Sequence, residues 1–200
     1  MVDEEGILYI DMRQPVGIWI ALLRGINVSG QKLIKMEDLR KVFESLHYEN
    51  VSTYIQSGNI VFAAAGSKNG VHQQNIAKKL VAAFGFEVPV VVRSHGQLGE
   101  VIKKAPFKPS LLKENEKIHV TFLSEEPSRI GAENLLNVRD TTDEIHLSGS
   151  EIYLLCRNGY GKTQYSNTFV EKKLGVAATT RNWATVNKLW EIGNETRKDR

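Results

Sequence analysis

Runs that are apolar on both alternations predict strands in this chain, and apolar residues three or four apart predict helices. "IWIALL" at 18–23 is apolar throughout, as in a strand buried on both faces. "KMEDLRKVFESL" at 35–46 sets Met36, Leu39, Val42, Phe43 and Leu46 at helical spacing. "VSTYI" (51–55) and "NIVFA" (59–63) predict a strand pair joined through "QSG". Residues 73–84 predict a second helix through Ile76, Leu80, Val81 and Phe84, and "VPVVV" (88–92) predicts a fourth strand. Pro89 has no N–H to give to a ladder, so this strand belongs at a sheet edge. The order is β-α-β-β-α-β.

The order then recurs. "KIHVTFLS" (117–124) turns Ile118, Val120 and Phe122 to one side, and a short helix is expected over 127–137. "DEIHLSGSEIYLLC" (143–156) reads as a hairpin turning at "SGS". A helix through Phe169, Val170 and Leu174 and a short strand at "VAAT" complete the set. The reading is α+β, with two ferredoxin-like βαββαβ subdomains in tandem and a C-terminal helix. The expected boundaries are an extension over 1–16, subdomains over 17–94 and 117–180, a linker over 95–116, a helix over 181–192 and a polar tail over 193–200. The last helix would set Trp183, Val186, Leu189 and Trp190 on one side and could cover the second face of the first sheet.

"ALLRGINV", "MEDLR", "YIQSGNIVF", "VVVRS", "PF" and "KLGVAATTRNWATVNKL" together resemble the bacterial family called domain of unknown function 1697. The resemblance spans about residues 18–192 and implies paired α/β-plait subdomains. It implies no reaction, substrate or cofactor. Where relatives carry a "GRSKL"-like run, this chain has "GKTQYSN".

Composition adds exclusions. The chain has 200 residues, 42% hydrophobic and 24% charged, an ordinary globular mixture. No apolar run is long enough for a membrane span. The start, "MVDEEGILYIDMRQPVG", is acidic and only briefly apolar, unlike a secretory signal. A single cysteine, Cys156, allows no internal disulfide, and a cytoplasmic protein is expected. Net charge is +3, but residues 157–188 hold six bases (Arg157, Lys162, Lys172, Lys173, Arg181, Lys188) against Glu171. That excess suggests a solvated basic face or an anionic partner.

Candidate chemistry gathers around anions. "GYGKT" (159–163) resembles the end of a phosphate loop, but Cys156 stands where the first glycine is required. Lys162, Thr163 and the following helix start are candidates to hold one phosphate or carboxylate. Arg24 of "RGIN" offers a planar fork for the same purpose, or pairs with Glu37 or Asp38. "QSGN" (56–59) reads as a turn. His119 and His146 could face each other across a sheet, but no metal site is expected without further ligands, and no cofactor motif is complete. Cys156 reads as a buried thiol. "NIVFA" has one aromatic and no basic residue, short of what an RNA-recognition sheet displays.

"TTRNW" (179–183) supplies the remaining candidates. Thr180 reads as the N-cap of the last helix, which places Arg181 and Asn182 in its first turn. A cation there opposes the helix dipole, so an anion is expected beside Thr180, Arg181 and Asn182. Arg181→Ala is then expected to lose anion binding while sparing stability. The functional reading is a small anionic ligand such as a phosphate or nucleotide. The alternative is a nucleic-acid-binding or protein-interaction module without catalysis.

Overall fold

A computed structural model describes residues 6–8, 15–28, 30–66, 68–139 and 142–198. Most of the extension expected over 1–16 lies outside them. The chain forms two compact units, residues 1–99 with 188–200, and residues 100–187.

The first unit follows the expected order: β1 (Val16–Leu23), α1 (Met36–Glu44), β2 (Glu49–Tyr54), β3 (Asn59–Ala65), α2 (Asn69–Phe84) and β4 (Val90–Ser94). The strands form an antiparallel sheet in the order β2-β3-β1-β4. Central β1 is buried on both faces, which is why it carries no polar alternation. Trp19, Ala21 and Leu23 pack into the core under α1 and α2, with Leu39, Phe43, Phe62, Ile76 and Leu80. Ile18, Ile20 and Leu22 on the opposite face are also buried. Glu37 and Asp38 favour the positive start of α1, and Glu37 pairs with Lys41 at 2.8 Å. Pro89 immediately precedes edge strand β4, and its carbonyl accepts from the Arg24 N–H at 3.0 Å.

Helix α3 (His95–Lys103) follows at once. It occupies the start of the stretch expected as linker, because Leu98 and Val101 are both buried. The second unit then has β5 (Lys117–Leu123), α4 (Arg129–Leu136), β6 (Glu144–Ser148), β7 (Glu151–Cys156), α5 (Asn167–Leu174) and β8 (Ala178–Asn182). Its antiparallel sheet runs β6-β7-β5-β8. Ser128 caps α4 by accepting from Gly131 N at 3.1 Å, and Ser166 caps α5 by accepting from Phe169 N at 3.3 Å. One face carries the core of Leu123, Leu135, Ile152, Leu154, Val170 and Leu174. The other buries Ile118, Val120 and Phe122, and Tyr153 there donates to the Val101 carbonyl at 2.9 Å.

The last helix, α6, spans Trp183–Lys198. It begins later than expected, because β8 continues its ladder with β5 through the Asn182–His119 pair, and it runs on to Lys198. Its most deeply buried positions are Val186 and Leu189. Trp183 is only half-buried and Trp190 is 37% exposed, so the tryptophans flank that stripe. Trp190 instead stacks on His95, with ring centroids 5.8 Å apart and planes 7° apart.

Candidate functional site

The six residues expected to meet an anion are sorted by strand alternation and by unit. Thr180 and Arg181 lie in β8, not in a helix. Successive strand residues point to opposite faces. Thr180 pairs with Thr121 on the helix-covered face, and Arg181 pairs with Val120 on the other. The Thr180 hydroxyl donates to Asn167 Oδ1 at 2.7 Å and so accepts from the Thr121 hydroxyl at 2.7 Å. It ties α5 to the sheet and is not a cap. The cap of α6 is Asn182, whose Oδ1 accepts from Thr185 N at 2.7 Å.

Arg181 is buried, with Nη1 donating to Thr179 Oγ1 at 2.7 Å and to the Thr180 carbonyl at 2.9 Å. Burial pushes its guanidinium down to about 10, with the Tyr160 phenol opposing the drop. It does not stand at the first turn of α6. Arg24 follows β1 and belongs to the other unit.

Lys162 and Thr163 belong to the second unit, with the three Thr180–Asn182 residues. Lys162 ends a short 3-10 turn, Tyr160–Lys162, and is exposed. Thr163 Oγ1 accepts from Tyr165 N at 3.3 Å. The turn brings Tyr160 over His119, ring centroids 4.9 Å apart. His119 in turn is the ladder partner of Asn182. "GYGKT" and "TTRNW" thus meet at one corner of the second sheet, on the face that carries Thr180 and Asn182.

His119, which the sequence pairs with His146, belongs to this corner instead. Burial lowers its pKa, opposed by the neighbouring Lys117 backbone and by the Asp143 charge. The ring is neutral at neutral pH. Its Nδ1 is buried and has no hydrogen-bond partner among the described residues. His146 does not face it: His119 lies opposite Leu154, whereas His146 lies opposite the adjacent residue Tyr153. The two rings therefore point to opposite faces. Among the described residues no cluster of three His, Cys, Asp or Glu could hold a metal.

The basic excess over 157–188 is dispersed. Arg157 pairs with Glu116 at 3.3 Å and with Glu144, and its N–H donates to Asp143 at 2.9 Å. Lys188 pairs with Glu191 at 3.1 Å, and Arg181 is buried in the sheet. These local acids neutralise charge that the linear count assigned to a single face. The sheets also offer no open face for stacking bases, because the central strands are buried on both sides. No described helix is long and apolar enough to cross a membrane.

The architecture defines a protein of two ferredoxin-like units. Residues 17–153 match the family described as "Protein of unknown function (DUF1697)", and the chain belongs to that family. The match ends before both "GYGKT" and "TTRNW". None of the curated proteins matches the chain. Among solved structures it is similar to the conserved bacterial protein SP0830 from Streptococcus pneumoniae, at 20% identity and a TM-score of 0.69. The likeness covers 90% of this chain and 99% of that one, and it shows the shared fold.

Proposed function

We propose that the second unit binds a small anionic ligand at the corner of Tyr160, Lys162, His119 and Asn182. The observation that carries this reading is the buried, unpartnered Nδ1 of His119 beneath the turn that presents Lys162. A buried polar atom left without a partner costs about 1–3 kcal/mol. A ligand that donates a hydrogen bond to Nδ1 and places negative charge beside Lys162 would relieve that cost. A phosphate monoester or a hydroxy acid has both features. Thr163 borders the turn, and Arg181 contributes only as the structural element behind the strand. Arg24 is outside the proposed site.

Calorimetric titration with inorganic phosphate, nucleoside monophosphates and short oligonucleotides tests the reading. Saturable binding of the small anions, weakened in Lys162→Ala and His119→Phe, is expected. Oligonucleotide binding that falls steeply with salt, with no response to the small anions, would favour the nucleic-acid alternative. No binding of any of them removes the proposal.

A further inference from the structure

The first unit carries a second surface, independent of the anion site. At the end of β1 the chain turns through residues 24–28 and 30–34, beside the turn at 55–58. One side chain ties these pieces together. Asn27 Nδ2 donates to the Ile34 and Gln56 carbonyls, each at 3.0 Å, and its Oδ1 accepts from Ile34 N at 2.8 Å. The residues adjoining these three tied positions are Val28, Leu33 and Ile55, which are 57%, 70% and 52% exposed.

The backbone here is also held in a rare conformation. Asn27, Lys32 and Ile55 have φ of +55°, +47° and +49°. Positive φ is a genuine outlier for a β-branched residue such as Ile55. Such conformations persist only where the surroundings over-determine them, and they gather at binding sites. Here the strain coincides with three large aliphatic side chains exposed to solvent.

Charge indicates what could cover them. Residues 24–35 contain no acid, and Lys32 and Lys35 among them are exposed. Lys32 also lines an open, mainly apolar groove of about 690 Å³ beside α2, with Lys78, Val81, Val88 and one acid, Glu87, so that two cations face a single carboxylate there. Its ammonium is fixed by the Glu87 carbonyl at 2.6 Å and lies over the Phe86 ring. Apolar footholds, a basic rim and an adjoining track complement an extended acidic segment with apolar anchors. The fixed loop geometry favours a partner of definite shape, since preorganisation strengthens only a shape-specific contact. A fluid lipid surface gains nothing from it.

We infer that this corner is a docking surface for an acidic protein segment carrying aliphatic or aromatic anchors. The test is selection from a random dodecapeptide library against the intact protein, with counter-selection against the Val28→Ser/Leu33→Ser double variant. Both positions are exposed, so the variant keeps the melting temperature of the parent. Acidic sequences with aliphatic or aromatic anchors should enrich, binding the parent about tenfold more tightly than the variant. Asn27→Ala should weaken the same peptides by loosening the corner. Enrichment of basic or unrelated sequences, or no enrichment, overturns the inference. So does co-sedimentation with phosphatidylserine vesicles that depends on Val28 and Leu33, which would make the surface a lipid contact. Phosphate binding at His119 is unaffected in every case.

Discussion

Arg93 and Arg181 occupy equivalent places in the two units. Arg93 stands in β4 opposite Ile20, and Arg181 stands in β8 opposite Val120. Both are buried on the sheet face away from the covering helices of their own unit. Each donates from Nη1 to the carbonyl of the residue before it, Val92 at 3.0 Å and Thr180 at 2.9 Å. The recurrence marks Arg181 as part of the architecture and reverses what its removal should do. Arg181→Ala is expected to lose about 1–3 kcal/mol of stability by leaving buried acceptors unsatisfied, while phosphate binding survives. Arg181→Lys should recover only part, because the planar fork is lost. Chemical denaturation with parallel titrations checks this. Unchanged stability with lost binding would restore the anion role at Arg181.

Acid should weaken the first unit through His72. This residue is buried among Trp19, Tyr48 and Phe62, with Nδ1 2.9 Å from the Tyr48 hydroxyl. Burial lowers its pKa from 6.5 to about 4. The folded ring stays neutral while the unfolded one takes a proton, so stability present above pH 6.5 is lost as pH falls towards 4. That difference is about 3 kcal/mol at 1.36 kcal/mol per pKa unit. Denaturation midpoints measured from pH 7.5 to 4 should fall more steeply in the parent than in His72→Gln. Parallel curves would show that another group governs the acid limb.

The start of α6 gives a paired comparison. Asn182→Ala should cost about 1 kcal/mol, and Asn182→Asp or Asn182→Ser should cost much less, because either keeps an acceptor for Thr185 N. Thr180→Ala should instead loosen α5 by breaking the Thr121–Thr180–Asn167 chain. Hydrogen exchange separates the two: faster exchange in the first turn of α6 for Asn182→Ala, and at the start of α5 for Thr180→Ala. Fraying of α6 in Thr180→Ala would contradict the assignment.

Gly58 joins the "YIQSGNIVF" and "ALLRGINV" stretches by contact. Its φ is +73°, and a Cβ there would lie 2.7 Å from Leu23 Cβ and 3.1 Å from Ile26 Cδ1. Leu23 N also donates to the Gly58 carbonyl at 2.7 Å. Gly58→Ala should therefore destabilise more than Gly159→Ala, where φ is +83° but no atom lies within 4 Å. Thermal melts of the two variants should rank in that order, and the reverse ranking would place the constraint elsewhere.

The fold was readable because β1 and the amphipathic helices carry unambiguous periodicity. The β4 edge followed from Pro89 alone. The candidate site was readable only in part. Thr180 and Asn182 are both good capping residues, and linear sequence does not say which one the β5–β8 ladder leaves at the helix start. Two residues of register decide it, and they also send Arg181 to the opposite face. Trp190 fits the helical period, yet its stacking on His95 is a long-range contact that periodicity does not encode. His119 is placed on a strand by local sequence, which suggests His146 as its neighbour, not Tyr160. Its place in the site comes from the Tyr160 stack and the ladder with Asn182, both formed only on folding.

The central claim is the anion site, and His119 Nδ1 reports on it directly. Nitrogen-detected NMR of the imidazole, followed during phosphate titration at pH 7.5, is the most direct measurement. A saturable shift of the Nδ1 resonance is expected as that atom gains a hydrogen bond, reached only at higher phosphate concentration in Lys162→Ala and retained in Arg181→Lys. An Nδ1 resonance that stays fixed while phosphate binds elsewhere, or a protein that takes up no phosphate, would contradict it.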